Sequence, residues 1–241
     1  MFSSGINIKD FQNDKLTISV HVIGSLSNNC ITIYSPKTLD AIIIDSGNDN
    51  DAILRLIKKF NLKVQKLVYT HAHYDHITSA DVIRSRFTNA KLYLHEQEMP
   101  VYRFVPQQVL MTTGENLNKL NPVDQFVKEG EKLGLELSDG VDGVEGEEFK
   151  GLLNAIHTPG HTPGHLCFLC NFFSIPILFS GDTLFQQSVG RTDLPGGSFG
   201  QIQKSIKEKL FTLPENTVVI PGHGDFTTIG EEKKYNPFVR G

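Results

Sequence analysis

Cysteine is scarce in this chain. Only Cys30, Cys167 and Cys170 occur among 241 residues, a number too small and too odd for a disulfide framework. That scarcity fits a reducing compartment, so the expected location is the cytoplasm or an organelle matrix. Long apolar runs are missing too. The richest stretch, 166–179, is interrupted by Asn171, Ser174 and Pro176. It falls short of the roughly 20 apolar residues a membrane helix needs and reads as two buried strands with a turn between them. The opening residues, MFSSGINIKDF, have neither the positive start nor the continuous apolar centre of a secretory signal. Basic charge is in deficit as well: 23 Lys and Arg stand against 27 Asp and Glu, for a net charge of −4. No global field exists to attract phosphate backbones or anionic lipid, so neither nucleic acid nor a membrane is an expected partner.

What remains has the composition of a folded globular chain, 39% hydrophobic and 21% charged, with enough apolar material for a substantial core. We read 1–241 as one domain. β-Branched and apolar runs at Leu16–Ile23, Cys30–Tyr34 and Ala41–Asp45 predict strands joined by turns. From Asp51 the pattern changes, with Ile53, Leu56, Ile57 and Phe60 at helical spacing. A strand at Lys66–Thr70, a helix at about Ile77–Phe87 and a strand at Lys91–Leu94 continue the alternation. Residues 136–148 interleave acids with glycines and contain no Lys or Arg, which predicts a solvated surface insertion. Strands are expected again at Phe149–His157, Leu166–Phe173, Pro176–Ser180 and Thr217–Pro221. A helix at Phe199–Leu210 would be opened by Ser198 three residues before Gln201. Both halves run strands first and helices after, which suggests an α/β fold of four layers, αββα.

The chemistry concentrates in Thr70-His-Ala-His-Tyr-Asp-His76. Four metal-capable side chains, His71, His73, Asp75 and His76, follow directly on a strand. Alternation sets His71 and His73 to one side, and Asp75 and His76 can reach a second point nearby, which suits a pair of ions bound by nitrogen and oxygen. Three later residues also stand at strand ends beside glycine: His161 in HTPGHTPGH, Asp182 in FSGDTLF and His223 in VVIPGHGD. The Pro and Gly next to them let the chain bend and present one side chain into a cleft.

THAHYDH, TPGHT, GDTLF and PGHG in this order resemble the motifs of the metallo-β-lactamase superfamily. Within that superfamily the chain is most similar to the glyoxalase II (hydroxyacylglutathione hydrolase) group, in its short single-domain branch. The resemblance implies the αββα fold and two divalent ions, with zinc the first expectation and iron or manganese also compatible with imidazole and carboxylate donors. It implies His71, His73 and His161 on one ion, Asp75, His76 and His223 on the other, and Asp182 bridging both. His157 and His165 are then supporting or strand residues, His21 a strand residue and His95 a solvated one. Cys167 and Cys170 form a CxxC with no second pair, so they read as part of a strand.

The expected reaction is hydrolysis. A water between two divalent ions loses a proton near neutral pH, its pKa falling from about 15.7 to about 7, and the hydroxide attacks an acyl carbonyl. Asp75 is expected to orient it. A thiolate, whose parent thiol has a pKa of about 8.5, leaves with little acid assistance, which fits a small-molecule thioester such as S-D-lactoylglutathione. By resemblance Arg191 aligns with a basic glutathione-contacting position, whereas Asp193 stands where glyoxalase II usually has an aromatic residue. The helical carboxyl-terminal domain of full-length glyoxalase II is not expected here. Lys233 and Lys234 are candidate anchors for an anionic thiol, or simply partners of Glu231 and Glu232 on an exposed helix. The competing reading is a persulfide dioxygenase with one iron at His71, His161 and Asp182, a group that shares GRTD. A true β-lactamase is disfavoured, because Asp182 belongs to the hydrolase branch and no export signal is seen. The sequence leaves oligomeric state open.

Overall fold

The computed structural model describes residues 11–137 and 149–240. The first half lays down β1 (Thr17–Ile23), β2 (Asn28–Tyr34), β3 (Asp40–Ile44), α1 (Asn50–Lys59) and β4 (Lys63–Val68). Then come α2 (Tyr74–Ile77), α3 (Ala80–Arg86), β5 (Lys91–Leu94), α4 (Met99–Thr113) and β6 (Gln125–Phe126). These strands form one sheet in chain order, antiparallel from β1 to β3 and parallel from β3 to β6. The second half contains β7 (Lys132–Leu133), β8 (Leu153–His157), β9 (Leu166–Cys170), β10 (Ile177–Gly181), β11 (Leu184–Phe185) and β12 (Ser188–Val189). It ends with α5 (Phe199–Glu208), β13 (Val218–Pro221), β14 (Thr227–Thr228) and α6 (Ile229–Tyr235). Its main sheet runs β14-β13-β10-β9-β8-β7, with β11 and β12 paired separately.

Alternation along each strand builds the layers. In β3, Ile42 and Ile44 face the second sheet, where they join Phe168, Phe179 and Ile220. Ala41 and Ile43 face the other way, onto Ile53 and Ile57 of α1 and Ile83 of α3. In β9, Leu166, Phe168 and Cys170 enter the inter-sheet core, while Cys167 and Leu169 meet Ile202 and Ile206 of α5. Each fully buried Ile or Phe contributes about 1.5–3 kcal/mol relative to exposure, so sheets apolar on both faces need helices outside and each other inside. The result is the expected αββα sandwich. All three cysteines are free and buried within it, the CxxC pair divided between two cores as period-2 alternation requires. No described helix is long and apolar enough to cross a membrane.

Several elements differ from expectation. β4 ends at Val68, two residues short of Thr70, because Thr70 turns out of the ladder to bond Asp45. The helix expected at 77–87 is two short ones, α2 and α3. α4 has no counterpart in the sequence reading: Pro100 opens it, Pro106 interrupts its ladder, and its apolar residues fall on two faces. Tyr102, Val105 and Val109 are buried, whereas Phe104, Leu110 and Met111 are exposed. α5 begins, as expected, where Ser198 Oγ accepts the Gln201 amide; it buries Ile202 and Ile206, while Phe199 at its start is exposed. Of the acidic 136–148 segment only Glu136 and Leu137 are described, and Glu136 is anchored, its carboxylate 3.0 Å from Lys66 Nζ and its amide donating to Gln65. The rest lies outside the described residues.

Candidate metal centre

The donor side chains converge at one edge of the sandwich, just beyond the carboxyl ends of β4, β8, β10 and β13. Sharp bends hold them there. At Gly160 φ is +141°, and a Cβ would run into the backbone of Ile202 in α5, so only glycine lets the chain reverse before His161. A Cβ on Gly222 would run into Asp182 Oδ1, so the residue before His223 has to be bare.

Three nitrogens form the first group. His71 Nε2 lies 3.0 Å from His73 Nδ1, and His161 Nε2 lies 3.3 and 2.9 Å from those same atoms. A tetrahedral zinc with Zn–N near 2.0 Å would set its nitrogens roughly 3.3 Å apart. The second group places Asp75 Oδ2 3.1 Å from His223 Nε2 and 3.4 Å from His76 Nε2, with the two imidazole nitrogens 3.2 Å apart. Asp182 sits between the groups. Its Oδ1 faces His76 at 3.5 Å and its Oδ2 faces His161 at 3.6 Å. Oδ1 is buried without a hydrogen-bond partner, an arrangement that is costly unless a cation completes it.

The outward nitrogens explain which ones point inward. His76 Nδ1–H donates to Asp45 Oδ2 at 3.0 Å, His161 Nδ1–H to the Arg191 carbonyl at 2.8 Å and His223 Nδ1–H to the Leu26 carbonyl at 2.9 Å. Thr70 Oγ1 donates to Asp45 Oδ2 and so accepts from His71 Nδ1–H at 3.0 Å. In all four rings the Nδ1–H contact turns Nε2 toward the centre, the way metal-binding histidines are oriented by their outward hydrogen bonds. His165 is fully buried but its Nε2 accepts the Asp182 amide at 3.0 Å, so its lone pair is already used. It supports the centre by fixing Asp182. His157 donates to the Pro163 carbonyl and stacks on His95 at 4.4 Å, which makes His95 a packed residue and not merely a solvated one.

Electrostatics favour the same reading. Burial and neighbouring histidines pull His71 down, and they pull His73 to about 3. Burial also lowers His161 against the raising influence of Asp182. These rings are neutral donors. Burial would depress His76 as well, but Asp75, Asp182 and Asp45 raise it to about 10. Three carboxylates in one buried place thus demand positive charge, which a metal ion supplies better than a proton.

The candidate substrate contacts are less closely tied to this centre. Arg191 contributes its carbonyl to His161, while its guanidinium is exposed and bidentate with Asp193 at 2.8 and 2.7 Å. Lys233 and Lys234 lie on α6, where Lys234 Nζ sits 4.8 Å over the Tyr235 ring. The helix is not simply exposed: Glu232 is buried and bonded to Thr227, Gln187 and Asn236. Sequence reasoning passed over Asp45, whose only signal was an acid ending the Ile42–Asp45 run.

A family model described as the metallo-β-lactamase superfamily matches residues 24–223. The chain belongs to the metallo-β-lactamase superfamily. It is 32% identical over 224 residues to the hydroxyacylglutathione hydrolase GloC of Haemophilus influenzae, covering 93% of this chain and 98% of that one. Among solved structures it is similar to the BLEG-1 B3 metallo-β-lactamase, with a TM-score of 0.77, 34% identity and coverage of 93% and 100% of the two chains. It is also similar to the di-iron-bound form of TTHA1623, with a TM-score of 0.76, 30% identity and coverage of 92% and 100%. These relationships and the clustered His and Asp donors make this chain a metallo-hydrolase of that superfamily.

Proposed function

We propose that this protein hydrolyses small acyl thioesters of the S-D-lactoylglutathione type, releasing a 2-hydroxy acid and a thiol, in a reducing compartment such as the cytoplasm. The observation that carries the reading is Asp182, whose two oxygens face two complete donor groups. His71, His73 and His161 would hold one divalent ion, Asp75, His76 and His223 the other, and Asp182 both, with zinc the first expectation. When bound, such ions polarise an acyl carbonyl and acidify water so that hydrolysis proceeds near neutral pH. The protein contributes geometry: the Nδ1–H bonds to Asp45, Arg191, Leu26 and Thr70 aim each Nε2 before any ion arrives. Asp75, beside His76 and His223, would also orient the attacking water. The similarity to a hydroxyacylglutathione hydrolase over nearly the full length of both chains supports the thioester class. Arg191, Lys233 and Lys234 are the proposed contacts for an anionic thiol, Arg191 by exchanging Asp193 for a substrate carboxylate.

The test is metal content per chain, measured together with thiol release from S-D-lactoylglutathione and with turnover of a chromogenic β-lactam. Two ions with thiol release and negligible β-lactam turnover is the expected result. One iron without release, with oxygen consumed on glutathione persulfide, would replace this reading with persulfide oxidation. Turnover of the β-lactam alone would move it to lactam hydrolysis.

A further inference from the structure

Glu98 is a buried carboxylate outside the donor groups. It closes the 96–98 turn directly before α4 and is fully buried. Among the described residues no Lys or Arg pairs with it; it takes main-chain amides, one on each oxygen. The Ala72 amide donates to Oε2 at 2.9 Å and the Gly164 amide to Oε1 at 2.7 Å. Ala72 lies between His71 and His73, and Gly164 lies three residues after His161. One side chain therefore ties together the two loops that carry the first donor group, one from each half of the sandwich. Burying an anion costs several kcal/mol unless its lone pairs are satisfied, so a carboxylate spent on two amides has to be explained by what those amides belong to. Gly164 fits this use: a Cβ there would stand 2.7 Å from the Glu98 amide nitrogen and 2.9 Å from its Cγ.

We propose that Glu98 is a positioning residue that holds the His71–His73 loop and the His161 loop in register, and thereby sets the affinity of the three-histidine site. The inference rests on the metal reading given above. It assigns Glu98 no contact with substrate or ion. A glutamine at 98 has one accepting oxygen where two are needed, so one loop amide loses its partner. An aspartate keeps the charge but is one methylene too short to span both amides.

The experiment is cobalt titration of the metal-free full-length protein against a competing chelator, followed by visible absorption. Wild type is expected to take two equivalents. Glu98→Gln and Glu98→Asp are expected to weaken one equivalent by about 10–100-fold, to shift its absorption band and to leave the other within about threefold. A lower melting temperature with both affinities and both bands unchanged would show Glu98 to be merely structural and overturn the proposal. If the Glu98 variants do not fold, Gly164→Ala reaches the same clamp from the other side and is expected to weaken the same single equivalent. Unchanged binding by that variant would also overturn it. A wild type that takes up no ion would overturn the metal reading and this inference together, whereas normal wild-type uptake with unaffected variants would overturn this inference alone.

Discussion

The carboxylate of Asp182 lies between His76 and His161, with Oδ1 3.5 Å from one ring nitrogen and Oδ2 3.6 Å from the other. The same Oδ1 is 3.8 Å from His223 Nε2. One residue thus completes both donor groups, and its removal cannot be confined to either. We expect Asp182→Ala to lose metal from both sites and to reduce hydrolysis by at least about 100-fold. Metal analysis beside thiol release checks this; two retained ions with normal turnover would contradict it.

Asp45 acts one shell further out. It sits at φ +52°, accepts the Thr70 amide and hydroxyl at 2.9 and 2.7 Å, and receives His76 Nδ1–H. Through Thr70 it also orients His71. Asp45→Asn keeps the size of the side chain but gives it a donor where only acceptors fit. The expected outcome is a 10–100-fold loss of metal affinity with little change in secondary structure, read by chelator competition and circular dichroism.

Gly160 tests the turn that presents His161. Its φ of +141° and the Ile202 backbone leave no room for a side chain. Gly160→Ala is expected to cost about 1–3 kcal/mol of stability and to weaken the three-histidine site, because α5 and the His161 loop cannot both keep their places. Urea unfolding of the metal-free protein measures the first effect and zinc titration the second.

His21 gives a pH prediction away from the centre. It lies on β1, 5.6 Å from the Phe60 ring, and burial with nearby Lys59 lowers it to about 4. The unfolded chain, with histidine near 6.5, binds the proton first as pH falls, so folding stability is lost between about 6.5 and 4. His21→Gln removes that loss. In chelator, to keep metal release out of the comparison, the variant's melting temperature is expected to fall less than that of wild type between pH 7 and pH 4.5.

That seven His and Asp side chains beside strand ends and glycines gather in one place was legible in the sequence, because so many metal-capable residues in such positions have no common structural explanation. The layers were legible too, since β3 and β9 alternate cleanly between two cores. Asp45 and Glu98 were not. An acid closing an apolar strand looks like any strand end, and Glu98 in HEQE looks like the solvated start of a helix, because their partners lie 25 to 66 residues away. α4 was hidden for another reason: its two prolines and two-sided apolar pattern erase the 3.6-residue period. Arg191 was a candidate by resemblance to a basic glutathione-contacting position; its carbonyl's bond to the His161 ring had no signal in the sequence.

The burial of the cysteines bears on the proposed chemistry. Burial pushes the Cys167 thiol up to about 12 and the Cys170 thiol to about 11, and Cys30 is raised by burial and by Asp45. Only a thiolate attacks a disulfide. On the proposed thioester reading each turnover would liberate a thiol, and the folded sandwich would offer that thiol's oxidised forms no exposed sulfur, since all three cysteines are buried. Titration with a thiol-reactive chromogen is expected to find three equivalents only after denaturation, because Cys30, Cys167 and Cys170 are all buried in the folded sandwich.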